Sequence, residues 1–286
     1  MPESIIGVIG GTGLYEINGL RDIETVDIDT PFGKPSDAIV LGKLDGIGVA
    51  FLPRHGRGHR ILPSELPSRA NIYALKSLGV ERIIAVNSAG SFKEEIMPGT
   101  LVIPDQVIDC TKGRVNTFFG NGIVAHIPFA EPFCPELRQV VIAAATEAGA
   151  FVHSRGTFIA MEGPAFSTKA ESYLYRSWGA DIIGMTVLPE AKLAREAEIC
   201  YASIACVTDY DCWREKAESV NVGMILDGMR RNIDVAKTII KLSVARIHGM
   251  RRCECADALK NALVTAPELI PPEQKAKLKL IIGKYV

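Results

Sequence analysis

The chain has 286 residues, of which 48% are hydrophobic and 23% charged, and a formal net charge of −1. That is enough chain for one large core or two modest domains of ordinary globular composition. There is no basic excess for nucleic acid and no apolar run of about 18 residues for a bilayer span. Met1-Pro2-Glu3-Ser4 carries no basic leader, so a cytoplasmic protein is expected.

In chain order, strands and helices alternate. A β-branched run, Ile5 to Ile9, ends in Gly10-Gly11-Thr12-Gly13. Ala38 to Leu44 and Gly46 to Leu52 read as a hairpin around Asp45-Gly46. Glu65 to Leu78 has helical spacing, with Ile72, Leu75 and Leu78 on one face and Gly79 as the stop. Arg82 to Val86 reads as a buried strand running into a loop, Asn87-Ser88-Ala89-Gly90-Ser91. Strands are predicted at Thr100 to Ile103, Thr157 to Met161 and Asp181 to Met185. Helices are predicted at Pro135 to Ala148, Ser167 to Trp178 (with Ser167 as N-cap) and Leu188 to Ile199. Cys200 to Thr208 is the last strand, and Val222 to Ile247 a long amphipathic helix. The alternation predicts an α/β fold, a mixed central sheet flanked by helices. Residues 1–247 form the predicted domain. Residues 248–286 read as a short helical extension packed on the core or on a neighbour.

Seven cysteines is a high and odd number. Cys110, Cys134, Cys200, Cys206 and Cys212 read as separate buried thiols. Cys253-Glu254-Cys255 is a close pair, read either as a strained disulfide or as two spare thiols. No second Cys or His pair at finger spacing accompanies it, so no metal is expected.

Several motifs follow predicted strands, where open α/β sheets place their sites. Gly10-Gly11-Thr12-Gly13 can turn N–H groups and the Thr12 hydroxyl onto an anion. It matches neither a dinucleotide fingerprint nor a Walker loop. Pro53-Arg54-His55-Gly56-Arg57-Gly58-His59-Arg60 gathers three arginines and two histidines, suited to phosphate. A solvated basic loop is the plain alternative. Phe166 could stack on a base or sit in the core. Thr186 could contact an anion or merely cap a helix. Thr208-Asp209-Tyr210-Asp211-Cys212-Trp213 sets two carboxylates two residues apart as a strand ends. Residues i and i+2 of a strand share a face. The pair could read a ring nitrogen and an exocyclic amine of a heteroaromatic base, or could simply close the strand in an Asx turn.

With these motifs in order, the chain resembles the methylthioadenosine phosphorylases, within the trimeric purine nucleoside phosphorylases. The resemblance rests on Gly10 to Gly13, Arg54-His55, His126-Ile127-Pro128, Met161-Glu162-Gly163-Pro164 with Phe166-Ser167, Met185-Thr186 with Pro189-Glu190, and Thr208 to Trp213. It implies a nucleoside phosphorylase-like fold, a homotrimer, and phosphorolysis of 5′-methylthioadenosine in purine and methionine salvage, with no cofactor. It also implies residue roles. Thr12, Arg54, His55 and Thr186 would cradle phosphate, and Asn87, Ser88 and Ala89 would line phosphate and ribose. Met185 would lie under the ribose and Phe166 near the base. Asp209 and Asp211 would read N7 and the 6-amino group. Val222, Ile225 and Leu226 would wall the methylthio pocket, and His126 would serve the neighbouring subunit. One departure is Gly184, where many adenine-type relatives carry Asn. It suggests the alternative of methylthioinosine or another 6-oxopurine nucleoside. A regulatory nucleotide-binding protein and an NAD-dependent oxidoreductase are rivals from other classes. The intact Arg54-His55 and Asp209 disfavour the first, and the missing fingerprint disfavours the second.

Overall fold

The computed structural model describes residues 5–11, 13–14, 16–214, 222–247, 249 and 251–286; the side chains of 5, 222 and 224–231 lie outside this description. The first half of the chain forms β1 (Ile5–Gly10), β2 (Arg21–Val26), β3 (Ile39–Leu44), β4 (Ile47–Pro53), α1 (Ser68–Ser77) and β5 (Val80–Ser91). Then follow β6 (Leu101–Val102), β7 (Gln106–Cys110), α2 (Pro135–Glu147), β8 (Val152–His153), β9 (Thr157–Met161), α3 (Lys169–Ser177) and β10 (Ile182–Gly184). The rest is α4 (Val187–Glu196), β11 (Cys200–Asp209), α5 (Val222–Arg246), α6 (Pro272–Lys277) and α7 (Lys279–Ile282).

The strands form one mixed sheet in the order β2-β3-β4-β1-β5-β10-β9-β7, with β11 joining β5 to β6 and β6 pairing β8. Side chains alternate between its faces, as the period of two requires. Ile83 and Ala85 face a core closed by Ile72 and Leu75 of α1 and Leu193 and Ala194 of α4. Ile84 faces the opposite core, closed by Leu137 and Val141 of α2 and Ile239, Ile240 and Val244 of α5. The C-terminal segment packs on its own chain: Leu259, Ala262, Ile270, Leu278, Ile281 and Ile282 fill the first core. Buried Glu198 ties it down, accepting from Tyr285 Oη at 2.5 Å and pairing with Lys284 Nζ at 2.7 Å.

The predicted hairpin is present, turning through Asp45 and Gly46 with φ of 49° and 84°, the left-handed pair of a two-residue turn. Two predicted features differ, and some strands were missed. β5 continues to Ser91 through the segment read as a loop, because β11 and β10 pair with it and override the weak strand propensity of Asn, Ser and Gly. α3 is capped by Thr168, in a reciprocal box with Glu171, rather than by Ser167. β2, β7 and β8 were not predicted; β2 is an exposed, polar strand at the sheet edge with no alternating pattern to reveal it. Among the described residues no helix is long and apolar enough to cross a membrane.

Candidate active site

β5 is the branch point of the sheet. β11 runs along one edge of it as far as the Asp209–Gly90 pair. On the other edge, β1 stops at Ala85 and β10 joins only at Gly90. Residues 86–89 therefore have no strand partner on that edge, and a cavity of about 190 Å³ opens there. Val86, Ser88, Ala89 and Gly90 form its floor, and Gly11, Arg54, His55, Phe166, Met185, Thr186, Asp209 and Asp211 are among its walls. At about 3.3 Å per residue, Val86 and Gly90 stand roughly 13 Å apart. The two ends of the cavity are built around these two residues.

At the Val86 end lies Arg54, 3% exposed. Its Nε and Nη2 donate to Glu190 Oε1 and Oε2 at 2.6 and 3.1 Å, and Nη1 donates to the Val86 carbonyl at 2.8 Å. Tyr201 Oη donates to the same Glu190 at 2.8 Å. Among the described residues three of the five guanidinium hydrogens are thus engaged, and the other two are open to a ligand. Beside it, His55 Nδ1 faces the Ile61 carbonyl at 2.8 Å. A carbonyl can only accept, so Nδ1 carries the hydrogen and Nε2 is left as an acceptor. Burial, together with Arg54, pushes the imidazole down to about 4. His55 is therefore uncharged at neutral pH, and Arg54 alone of the two brings positive charge to this end. Arg57 pairs with Asp37 instead of lining the cavity. His59 lines it, stacked on His55 with ring centres 4.2 Å apart.

Thr186 completes this end. Asn87 Nδ2 donates to Thr186 Oγ1 at 2.6 Å, while Asn87 Oδ1 accepts from buried Ser203 Oγ at 2.8 Å. The polarity of this relay leaves the Thr186 hydroxyl hydrogen free to donate into the cavity. Asn87 itself stands behind Thr186 and does not line the cavity, whereas Ser88 and Ala89 do.

At the Gly90 end, Asp209 and Asp211 are both 5% exposed. Asp209 Oδ1 accepts from the Asp211 backbone N–H at 2.8 Å, and Oδ2 from Thr208 Oγ1 at 2.7 Å. The carboxylates meet through a turn and not through strand alternation: β11 ends at Asp209, and Asp211 sits in the left-handed region at φ 50°. Burial pushes both carboxyls above the ordinary carboxylate range, and the nearby Asp211 charge adds to the effect on Asp209. A Cβ on Gly90 would come within 2.9 Å of Asp209 Oδ1, so this close approach requires glycine. Phe166, 39% exposed, forms part of the wall. At Gly184 a Cβ would lie 2.7 Å from Phe158 Cζ and 2.9 Å from the Ser88 carbonyl oxygen. The Phe158 ring occupies the space a larger residue would need.

Residues 5–245 match the phosphorylase superfamily. An S-methyl-5′-thioadenosine phosphorylase of Geobacter sulfurreducens is 59% identical over 99% of this chain and 100% of its own length. The chain belongs to the phosphorylase superfamily, among the S-methyl-5′-thioadenosine phosphorylases. A methylthioadenosine phosphorylase from an antarctic soil metagenomic library superposes with a TM-score of 0.94 at 48% identity, covering 98% of this chain and 99% of the other. A mutant adenosine/methylthioadenosine phosphorylase of Schistosoma mansoni, in complex with methylthioadenosine, superposes with 0.84 at 40% identity, covering 90% and 96%.

The structure thus brings Arg54, His55, Ser88, Ala89, Phe166, Met185, Thr186, Asp209 and Asp211 together around one cavity. Thr12 and the side chains of Val222, Ile225 and Leu226 lie outside the described residues. His126 is exposed and away from this cavity, on a loop held to the C-terminal segment by its own N–H to Ala262 O at 2.9 Å. Sequence reasoning missed the residues that hold the walls. Glu190 and Tyr201 fix Arg54. Arg114, whose side chain is 3% exposed, donates to the carbonyls of Met185, Leu188 and Met161 at 2.6, 2.8 and 3.1 Å, binding two cavity loops together. Glu190 stood within a quoted motif; Arg114 carried no pattern at all.

Proposed function

We infer that this chain is a pentosyltransferase that cleaves 5′-methylthioadenosine with inorganic phosphate, giving adenine and 5-methylthioribose 1-phosphate. The observation that carries this reading is the two-ended cavity, with aimed donors at Val86 and the buried Asp209–Asp211 carboxyl pair at Gly90. Phosphate lies at the first end, on the two remaining Arg54 N–H groups and the Thr186 hydroxyl. His55 Nε2 accepts from a P–OH group. The purine lies at the second end, and the ribose spans the middle beside Met185.

Breaking the C1′–N9 bond moves its electron pair onto the purine and leaves positive charge on the sugar. A phosphate oxygen attacks C1′ from the face opposite the base, so the anomeric carbon inverts. Bound phosphate stabilises the sugar cation, and a protonated Asp209 delivers its proton to N7. Thr208 Oγ1 has a second acceptor, the Ala89 carbonyl at 3.3 Å, so it can release Asp209 Oδ2 when that oxygen takes up a proton. Asp211 accepts from the 6-amino group. The scheme needs no covalent intermediate and no cofactor at the reacting atoms.

Asp211 as an acceptor favours an amino over an oxo substituent at C6, and the lack of Asn at Gly184 has a packing reason, since the Phe158 ring fills the space it would need. The 6-amino nucleoside remains the better fit. The remainder of the reading is a C3 homotrimer, in which exposed His126 reaches the next subunit's site across a heterologous interface. It also includes cytoplasmic salvage of purine and methionine, and Val222, Ile225 and Leu226 as the wall of the methylthio pocket. Parallel kinetics on methylthioadenosine, methylthioinosine and adenosine, with and without phosphate, test it. Strictly phosphate-dependent adenine release, fastest on methylthioadenosine, is expected. Equal release without phosphate would overturn it.

A further inference from the structure

Four cysteines from three distant stretches converge at the far end of the sheet. Cys134 caps the start of α2, Cys200 opens β11, and Cys253 and Cys255 flank Glu254 at the head of the C-terminal segment. Their sulfur atoms all lie within 4.8 Å of one another, with Cys200 and Cys253 at 3.3 Å. All four are free thiols. The sequence reading of isolated thiols and a lone Cys-x-Cys pair missed this, because spacing rules detect only ligands that are near in sequence.

Four sulfurs at the corners of a tetrahedron about 2.3 Å from a zinc ion stand roughly 3.8 Å apart. The observed cluster is within about an ångström of that arrangement, with no large movement required of the backbone. Cys134, Cys200 and Cys255 are 0, 1 and 2% exposed, so three donors are walled off from solvent. Cys253 is half-buried and borders a surface depression shared with His126, Arg252, Glu254 and Asp257, which gives an ion a way in. The Leu137 backbone N–H points at Cys134 Sγ from 3.5 Å, an orientation that favours a thiolate at a helix start. Among the described residues no His or carboxylate joins the four sulfurs. An all-sulfur set selects a soft, tetrahedral ion over magnesium or calcium.

We propose that Cys134, Cys200, Cys253 and Cys255 form a closed tetrathiolate site for one divalent ion of the zinc class. Binding releases four protons as four thiols become four metal–sulfur bonds, leaving a net charge of −2 on the centre. With every position taken by protein, the ion is structural and not catalytic. Its place agrees with that role, since Cys200 and Asp209 stand at opposite ends of β11, about 30 Å apart at 3.3 Å per residue. The ion would pin the head of the C-terminal segment to α2 and the sheet. That segment in turn backs the His126 loop through the Ala125–Leu263 bridge.

The test is metal analysis of the full chain expressed with zinc and purified under reducing conditions without chelator. About one zinc per chain is expected, falling to background in Cys253→Ser and Cys255→Ser and unchanged in Cys110→Ser. Cobalt-loaded wild type, which does not depend on a variant folding, should show an intense thiolate-to-cobalt charge-transfer band and the d–d bands of a tetrahedral site. A chelator should lower the melting temperature of the wild type. Background zinc in the reduced wild type would overturn the proposal. So would bound metal whose cobalt form lacks the charge-transfer band, or an intact mass showing the four cysteines paired as disulfides under those conditions.

Discussion

Arg54 and Glu190 form a buried bidentate pair, Nε to Oε1 at 2.6 Å and Nη2 to Oε2 at 3.1 Å, with side chains 3% and 1% exposed. The pair is neutral as a unit, so this end of the cavity offers a ligand aimed hydrogens more than net charge. Glu190→Gln should leave Arg54 as an unpaired buried cation and free it to swing. A stability loss of about 3–5 kcal/mol is expected, together with a raised phosphate KM. Arg54→Ala should likewise raise the phosphate KM and lower turnover. Urea unfolding and phosphate titration check both. A Glu190→Gln enzyme with wild-type stability and phosphate KM would show that the pair does not position the arginine.

The acid side of the stability profile has a worked sign. His55 is held down to about 4, whereas an unfolded histidine titrates near 6.5. The folded chain therefore binds fewer protons, and this contribution stands above about 6.5 and is lost as pH falls toward 4. The raised carboxyls of Asp209 and Asp211 act oppositely, since their unfavourable contribution fades as pH falls through their folded values. His55→Gln should flatten the fall in melting temperature between about pH 6.5 and 4. Superimposable profiles for wild type and variant would contradict the neutral, buried His55.

Gly184 and Phe158 make a packed pair. Restoring the amide of adenine-type relatives by Gly184→Asn alone should push on Phe158 Cζ and the Ser88 carbonyl. Overpacking of this kind costs about 1–3 kcal/mol, and displacement of β5 should lower activity at least several-fold. Adding Phe158→Leu should recover part of the loss. Full activity in the single variant would mean that the strand gives way at no cost.

The contiguous parts of the site were legible in the sequence. Asp209-Tyr210-Asp211 and Arg54-His55 announce themselves because each packs unusual chemistry into a few residues at a strand end. The strand alternation also emerged, since Ile83, Ile84 and Ala85 are apolar on both faces. What could not be read were relations across distance. Glu190 meets Arg54, Arg114 gathers carbonyls from two loops, and Cys134 and Cys200 meet Cys253 and Cys255 only once the sheet has formed. The charge state of His55 was equally hidden, because burial and the Ile61 carbonyl set it. The Asn87 to Ser91 loop reading failed because strand pairing outweighed local propensity.

The most direct measurement is single-turnover kinetics of Asp209→Asn on methylthioadenosine and methylthioinosine. Asn keeps the shape and can still hydrogen-bond, but it cannot deliver a proton to N7. Turnover on methylthioadenosine should fall about 10²-fold or more with a smaller change in KM, because the lost interaction exists mainly in the transition state. The amide can donate to O6, so relative activity should shift toward methylthioinosine, and Asp211→Asn should do less. An Asp209→Asn enzyme with unchanged kcat and unchanged base preference would contradict the account, and the proton would have to come from another group or from water.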